Sequence, residues 1–139
     1  MIVVDASVAV KWFVEEQGHA AAIRASEGSD LAGPDRLLLE IANVLRRKVK
    51  QREVTANQAA VAVSRLPELI DTIVPSASLL NPAFALAERL DHSVYDCAYL
   101  ACALHLDIRL LTADGRFAGK ARLAGFRSSI LDLAEHSTS

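Results

Sequence analysis

The chain has 139 residues, of which 52% are hydrophobic and only 5% aromatic. A chain of this length buries roughly two-thirds of its unfolded surface, so we predict one domain over residues 1–135 and a frayed tail at 136–139. The high apolar content and the formal net charge of -2 exclude a disordered chain, and two cysteines exclude a disulfide scaffold. The longest apolar run, from Cys97 to Leu104, is far shorter than the roughly 20 residues of a membrane-spanning helix.

The N-terminus and the cysteines favour a cytoplasmic protein. Met1 leads directly into an apolar run and Asp5, without the basic region of a secretory signal. Cys97 and Cys102 are five residues apart, which corresponds to about 7.5 Å of rise if both lie on one helix. Disulfide partners rarely have Cα atoms more than about 7 Å apart, so we predict two thiols in the core.

The first half of the chain alternates between extended and helical patterns. Short β-branched runs predict buried strands, whereas alanine-rich or 3.6-periodic runs predict helices. Asp35 and Thr55 offer N-caps to two helices, and Pro67 interrupts or ends the second of them. The predicted extended segments are residues 2–4 and 31–34, and the predicted helices are 6–14, 19–27, 35–50 and one that begins at 55.

The second half continues the alternation. Asn81 and Pro82 predict a helix start, with Asn81 as the cap and Pro82 at the first helical position. Asp114 and Gly115 open a later helix. The predicted strands are 71–74, 108–112 and a short one near 127–130, and the predicted helices include 82–90 and 93–106. Because strands alternate with helices, we predict an α/β domain with a mostly parallel sheet.

Two predicted strands end close to a carboxylate. Asp5 follows the first strand and Asp114 lies just beyond a later one, and each has a hydroxyl two residues away, Ser7 and Thr112. Parallel α/β sheets bind ligands at the carboxyl ends of their strands, so these groups are candidates for one site. The alternative is that Asp5 forms an Asx turn and that Asp114 is only an N-cap.

Two further carboxylates lie on predicted helices. Glu40 shares one side of its helix with Arg36, Asn43 and Arg47, and is either a surface glutamate bracketed by arginines or a group that faces a cleft. Asp96 is the only formally charged residue from 93 to 104, and charges on so apolar a helix usually have partners. Ser93 and Asp96 also have the spacing of a capping box, which is compatible with a carboxylate that points into a cleft.

Basic residues occur in two runs. Each run alone is typical of a solvated face, but together they permit contact with phosphates. The first run comprises Arg46, Arg47, Lys48, Lys50 and Arg52, and the second comprises Arg109, Arg116, Lys120, Arg122 and Arg127. Within these runs, the candidates for contact with the phosphates of a nucleic acid are Arg46, Arg47, Lys48, Arg116 and Lys120.

Four short motifs follow one another along the chain: VVDAS at residues 3–7, LEIANVL at 39–45, SVYDCAYLA at 93–101 and LLTAD at 110–114. Each motif alone occurs often by chance, but their order and spacing cover essentially the whole chain. Together they resemble the motifs of the PIN-domain ribonucleases, and most closely those of the VapC-like toxins of bacterial toxin–antitoxin pairs.

This resemblance implies a three-layer α/β/α sandwich with a mostly parallel central sheet. It also implies an acidic pocket that binds Mg²⁺ or Mn²⁺, with hydrogen-bonding neighbours around it. The implied metal ligands and catalytic residues are Asp5, Glu40, Asp96 and Asp114, and the implied supporting residues are Ser7, Asn43 and Thr112.

The chemistry of such a pocket needs no serine, cysteine or histidine nucleophile. Mg²⁺ and Mn²⁺ prefer oxygen ligands, and crowded carboxylates repel one another until a cation binds. A bound metal activates water for attack on a phosphodiester. His92 and His105 lie outside the motifs, and we interpret them as cap or surface groups.

The function that the sequence predicts is a metal-dependent endoribonuclease, the toxin of a toxin–antitoxin pair. The alternatives are a non-catalytic binding module of PIN-like fold, and a metal-dependent nuclease or phosphatase that acts on DNA or small phosphates. The resemblance also implies a homodimer and a small cognate antitoxin, but no membrane association. Trp12 and Phe13 are candidates for the antitoxin-binding surface, with packing in the core as the alternative.

Overall fold

The computed structural model describes residues 1–135; the predicted tail at 136–139 lies outside the described residues. Five parallel strands form one sheet in the order β3-β2-β1-β4-β5. Helices flank this sheet, so the predicted α/β/α class with a parallel sheet is confirmed. The strands are β1 (Ile2–Val4), β2 (Leu31–Pro34), β3 (Thr72–Val74), β4 (Arg109–Thr112) and β5 (Ile130–Asp132).

Seven α-helices connect these strands within the described residues. None of the helices in this part of the chain is long and apolar enough to cross a membrane. Their bounds are α1 (Ala6–Ala9), α2 (His19–Ser26), α3 (Arg36–Lys50), α4 (Ala56–Leu69), α5 (Ser76–Leu90), α6 (Val94–Leu106) and α7 (Gly115–Ala121).

The strand order creates a switch point at the centre of the sheet. After β1 the chain builds β2 and β3 on one side, and it then returns to place β4 and β5 on the other. Val3 and Val4 of β1 and Leu110 and Leu111 of β4 are completely buried. Because both neighbours of β1 run parallel to it, the carboxyl ends of β1 and β4 open onto the same edge of the sheet.

Helix α6 packs directly against the sheet, with contacts to β1, β2 and β4. Leu100, Cys97 and Cys102 are fully buried on this helix, which explains its nearly uniform apolar sequence. Both cysteines are free, so the prediction of core thiols is confirmed. Burial raises the pKa of each thiol to about 11, so both remain protonated near neutral pH.

The predicted start of the fifth helix at Asn81 and Pro82 is wrong. Helix α5 begins at Ser76 and continues through Pro82, its seventh residue. The Ser76 backbone N–H and hydroxyl both donate to the carboxylate of Asp35, with the N–H bond at 3.1 Å. This contact joins residues 41 positions apart and gives the first backbone N–H of α5 an acceptor that the helix itself cannot provide. Pro82 removes only one hydrogen bond from the helix interior, so α5 continues through it.

Asp35 therefore has a different role from the one predicted. It stands at the N-cap position of α3, but its side chain makes no cap hydrogen bond to that helix. The structure confirms Thr55 as the cap of α4, in a reciprocal capping box with Gln58. Pro67 does not end α4, which continues to Leu69.

The other differences concern boundaries. The first predicted helix, at 6–14, is divided into α1 and a 3₁₀ turn at Val10–Trp12. The last strand is β5 at Ile130–Asp132 rather than 127–130, because a 3₁₀ turn occupies Arg127–Ser129.

We predict that Asp35→Ala destabilises the fold by about 1 kcal/mol, the usual value for a lost helix cap. The substitution removes the acceptor for the first N–H of α5. Urea denaturation followed by circular dichroism measures the change. The control is Glu68→Ala, at an exposed site on α4. An Asp35→Ala variant as stable as the control would show that α5 begins without this contact.

Candidate functional site

A cavity of about 470 Å³ opens at the carboxyl ends of β1 and β4. Its walls come from the residues that follow these two strands, together with α3 and the first two turns of α6. All four predicted acidic residues line this one cavity: Asp5, Glu40, Asp96 and Asp114. The fold thus brings together carboxylates that are up to 109 positions apart in the chain, from Asp5 to Asp114.

Two hydroxyl groups hold the Asp5 carboxylate. Ser7 Oγ donates to Asp5 Oδ1 and Thr112 Oγ1 donates to Asp5 Oδ2, each at 2.5 Å. The same hydroxyls accept backbone N–H bonds, Ser7 from Ala113 at 3.0 Å and Thr112 from Asp114 at 3.1 Å. These bonds tie the end of β1 to the end of β4.

Asp5 also caps α1, since its Oδ1 accepts the N–H of Val8 at 3.2 Å. The capping role and the position in the cavity therefore belong to the same carboxylate. Asp114 likewise caps α7 by accepting the N–H of Phe117 at 3.1 Å while it lines the cavity.

Burial raises the pKa of Asp5 from 3.8 to about 6. Hydrogen bonds from Ser7, Thr112 and Val8 act in the opposite direction, and the negative charge of Asp96 adds to the increase. Below pH 6 this carboxyl is thus mostly protonated in the metal-free protein, although three donors face it.

Glu40 is held from two sides. Arg36 Nε lies 2.8 Å from its Oε1, and Tyr99 donates its hydroxyl to Oε2 at 2.9 Å. Burial raises the pKa of Tyr99 and the nearby Glu40 raises it further, so the phenol remains a hydrogen-bond donor. Sequence reasoning missed Tyr99, although its position three residues after Asp96 places both on one face of a helix.

His92 lies beside Asp96 and Asp114. Potential ligand atoms of these three residues are all within 4.8 Å of one another. His92 Nε2 is 2.6 Å from Asp96 Oδ2, and only 13% of the histidine side chain is exposed. Our interpretation of His92 as a cap or surface group is therefore wrong.

The predicted capping box at the start of α6 is half formed. Ser93 Oγ accepts the N–H of Asp96 at 3.2 Å, as a cap does. The Asp96 carboxylate, however, points to His92.

The residues that line the cavity fit a divalent cation of the Mg²⁺ or Mn²⁺ type. They supply four carboxylates, and oxygen donors are the ligands that both ions prefer. The raised pKa of Asp5 means that its ionised form is disfavoured in the metal-free protein. A bound cation would stabilise the ionised form and so lower this pKa.

Basic side chains line the same cavity. Lys11 and Lys48 line it together with Glu16, whose carboxylate lies 3.3 Å from Lys11 Nζ and 2.9 Å from Lys48 Nζ. Burial alone would raise the pKa of Glu16, but the two ammonium groups outweigh it and hold that pKa below the usual range. Lys48, a candidate for RNA contact, also pairs with Glu53 at 2.8 Å.

The other candidate residues do not all reach the cavity. Arg47 lines it, whereas Asn43, Arg46 and Arg116 are exposed and lie outside its lining. Lys120 donates to the Asp91 carbonyl at 2.7 Å.

Trp12 and Phe13 are half-buried and pack against the core. Trp12 Nε1–H also donates to Ser26 Oγ at 3.0 Å. Packing within the domain, the alternative to an antitoxin-binding surface, thus accounts for both side chains.

The family model of the PIN domain matches residues 2–123. The chain belongs to the PIN-domain family. Ribonuclease VapC1 of Mycobacterium tuberculosis is 34% identical over 119 residues, which span 84% of this chain and 87% of the relative. Ribonuclease VapC3 of Pyrobaculum aerophilum is 34% identical over 122 residues, which span 86% of this chain and 93% of the relative. The chain therefore belongs to the VapC ribonucleases of this family.

A solved structure shares the fold. VapC20 of Mycobacterium tuberculosis, described as a toxin that cleaves the sarcin–ricin loop, superposes with a TM-score of 0.67 at 23% identity. The match covers 86% of this chain and 94% of VapC20. At this identity the likeness concerns the fold, and it agrees with the α/β/α architecture.

We predict that Asp5 makes metal-free stability depend on pH. Because the folded-state pKa of about 6 lies above the ordinary 3.8, the folded state binds the proton more tightly. Relative to Asp5→Asn, the wild-type protein should lose about 3 kcal/mol of unfolding free energy as the pH rises from about 4 to above 6. Urea denaturation of both proteins in EDTA measures this difference. A difference that stays constant across this range would contradict the raised pKa.

Proposed function

We propose that the chain is a metal-dependent endoribonuclease, the toxin of a toxin–antitoxin pair, and that it hydrolyses RNA phosphodiester bonds. One observation carries the proposal: the four acidic residues line a single cavity at the carboxyl ends of β1 and β4. The relatives that the chain matches along most of its length are ribonucleases, which supports RNA as the substrate.

Asp5, Glu40, Asp96 and Asp114 would hold Mg²⁺ or Mn²⁺ through their carboxylate oxygens. Such an ion lowers the pKa of a bound water and neutralises negative charge on the phosphodiester. The residues around the ligands keep the carboxylates in place. Ser7 and Thr112 orient Asp5 through their hydroxyl groups. Asn43, one turn after Glu40 on α3, is the third residue of the proposed supporting set, although it is exposed and does not line the cavity in this structure.

Arg36 and Tyr99 give Glu40 a fixed orientation before substrate binds. A side chain that is already ordered favours metal binding and catalysis, because little free energy is needed to order it during the reaction. The chain also offers proton acceptors, since the water that attacks phosphorus must lose a proton. Each of the four carboxylates is a candidate for that step.

The proposed RNA path runs through the cavity, past its carboxylates and its basic side chains. Arg47 lines the cavity, and Lys48 is within reach once a phosphate replaces Glu16 as its partner. Arg46, Arg116 and Lys120 would contact phosphates farther along the strand. Single-stranded or loop RNA is the proposed target, because an A-form duplex hides its base edges in a deep, narrow groove.

We predict that Asp5→Asn and Asp96→Asn each reduce RNA cleavage at least 100-fold in Mg²⁺ or Mn²⁺, because each removes a metal-binding charge. Cleavage of a labelled RNA in a gel assay measures the loss. Asp107→Asn is the matched control. It changes an aspartate at the far end of α6, where asparagine tolerates the positive φ of 56°.

Four results would count against the proposal. Cleavage that survives both substitutions, or that continues in EDTA, excludes the carboxylate site as the catalyst. Faster cleavage of DNA of the same sequence indicates a different substrate. Absence of cleavage, together with no stabilisation by Mg²⁺ or Mn²⁺, favours a binding module without catalysis.

The proposal includes a homodimer, a small cognate antitoxin and a cytoplasmic location. Support for an interface comes from large apolar side chains that are exposed on α5 and in the first turn of α6. Leu80 and Phe84, one turn apart on α5, are 62% and 59% exposed, and Tyr95 of α6 is 58% exposed. Leu80 and Tyr95 line one small cavity, so they form a continuous surface.

We predict that Phe84→Glu prevents dimer formation, because it places a charge in this apolar surface. Sedimentation equilibrium should give twice the monomer mass of 15.0 kDa for the wild type and the monomer mass for the variant. Leu123→Glu is the control, since Leu123 is 91% exposed outside this surface. A dimer that persists in Phe84→Glu, or a monomeric wild type, would contradict the prediction.

A further inference from the structure

His92 is held at the edge of the cavity by residues of two helices. It lies between the C-cap of α5, Asp91, and the N-cap of α6, Ser93. Its ring packs on Phe117 of α7, with centroids 4.8 Å apart and an interplanar angle of 47°. Its Nε2 faces Asp96 Oδ2 at 2.6 Å, and its Nδ1 faces Lys120 Nζ at 3.4 Å.

Lys120 determines which nitrogen of His92 carries the proton. A lysine ammonium group has only donors, so His92 Nδ1 accepts, and the ring proton is on Nε2. Nε2–H then donates to Asp96 Oδ2. Lys120 is fixed in turn, because its Nζ also donates to the Asp91 carbonyl at 2.7 Å. A continuous series of hydrogen bonds thus connects Lys120 through His92 to Asp96.

This arrangement separates two possible roles for His92. A histidine that ligates a metal needs a lone pair on the nitrogen facing the metal, but here Nε2 is a donor. The bond to Asp96 instead occupies one carboxylate oxygen and leaves the other available to a cation. Partners of this kind orient a ligand, and their loss typically weakens metal binding about 10- to 100-fold.

We propose that His92, with its tautomer set by Lys120, is a positioning residue for Asp96 in the metal site and is not itself a metal ligand. The inference rests on the proposed function, because it takes Asp96 to be a metal ligand. In this role His92 orients the Asp96 carboxylate and does not touch the substrate.

The test measures the Mn²⁺ dissociation constant by electron paramagnetic resonance of free Mn²⁺, without RNA. His92→Leu keeps an apolar group against Phe117 but removes the donor, and it should weaken binding about 10- to 100-fold. His92→Gln offers an amide N–H at a similar reach and should stay within a few-fold of wild type. His105→Ala, exposed in the last turn of α6, is the control and should bind as wild type does.

Pulsed paramagnetic resonance of the Mn²⁺ complex separates positioning from ligation. The wild type should show no coupling to an imidazole nitrogen. Coupling that disappears in His92→Gln would overturn the inference, because it would make His92 a ligand. Equal Mn²⁺ affinity in wild type and His92→Leu would overturn it as well. If His92→Leu and His92→Gln weaken Mn²⁺ binding equally, the effect comes from packing and not from the donated hydrogen bond, and this result would also overturn the inference.

Asp96→Asn distinguishes failure of this inference from failure of the proposed function. If Asp96→Asn binds Mn²⁺ as tightly as wild type, the carboxylate site itself is wrong and the role of His92 fails with it. If Asp96→Asn loses Mn²⁺ binding while His92→Leu retains it, only the positioning role fails. Circular dichroism confirms that each variant is folded before its affinity is compared.

Discussion

The site depends on the Asp5 carboxylate and the two hydroxyl groups that hold it. Ser7 and Thr112 donate to its two oxygens and accept N–H bonds from the segment after β4. These contacts join the ends of two neighbouring parallel strands at the centre of the sheet. Asp5 also caps α1. One half-buried carboxylate therefore sets the geometry of the sheet edge, begins a helix and supplies charge to the cavity. The loss of solvent around it raises its pKa to about 6.

The remaining carboxylates reach this edge from other elements and carry their own partners. Glu40 of α3 is held by Arg36 and Tyr99, and Asp96 of α6 is in contact with His92. Each pairing uses groups that donate hydrogen bonds and bring no further negative charge. Such partners reduce the repulsion between acidic groups and restrict their rotamers, so the carboxylates are oriented before any cation binds.

Charges of both signs line the cavity. The four carboxylates come from the ends of β1 and β4 and from α3 and α6, whereas Lys11 and Lys48 bring positive charge and share the carboxylate of Glu16. The formal net charge of -2 is therefore the small difference between 15 basic and 17 acidic residues, and groups of both signs meet in this cavity. A nearly neutral chain is compatible with a polyanionic substrate for this reason, because contacts with phosphate depend on local charge.

The sequence by itself determined the succession of strands and helices along the chain and the parallel α/β class, because apolar periodicity and capping involve residues within a few positions of one another. The four acidic residues were candidates by their places at predicted strand ends and on predicted helices, and the resemblance to the PIN-domain ribonucleases implied that they share one pocket. Only the tertiary structure decided that α5 begins at Ser76, since Asp35, 41 residues away, satisfies its first N–H. The hydrogen-bond partners of the site residues also required the tertiary structure. Tyr99 and Glu40 are in contact although 59 residues separate them in the sequence, and His92 and Lys120 are in contact across 28 residues. Such contacts depend on how helices and strands pack together, and local sequence patterns do not specify the packing between distant segments.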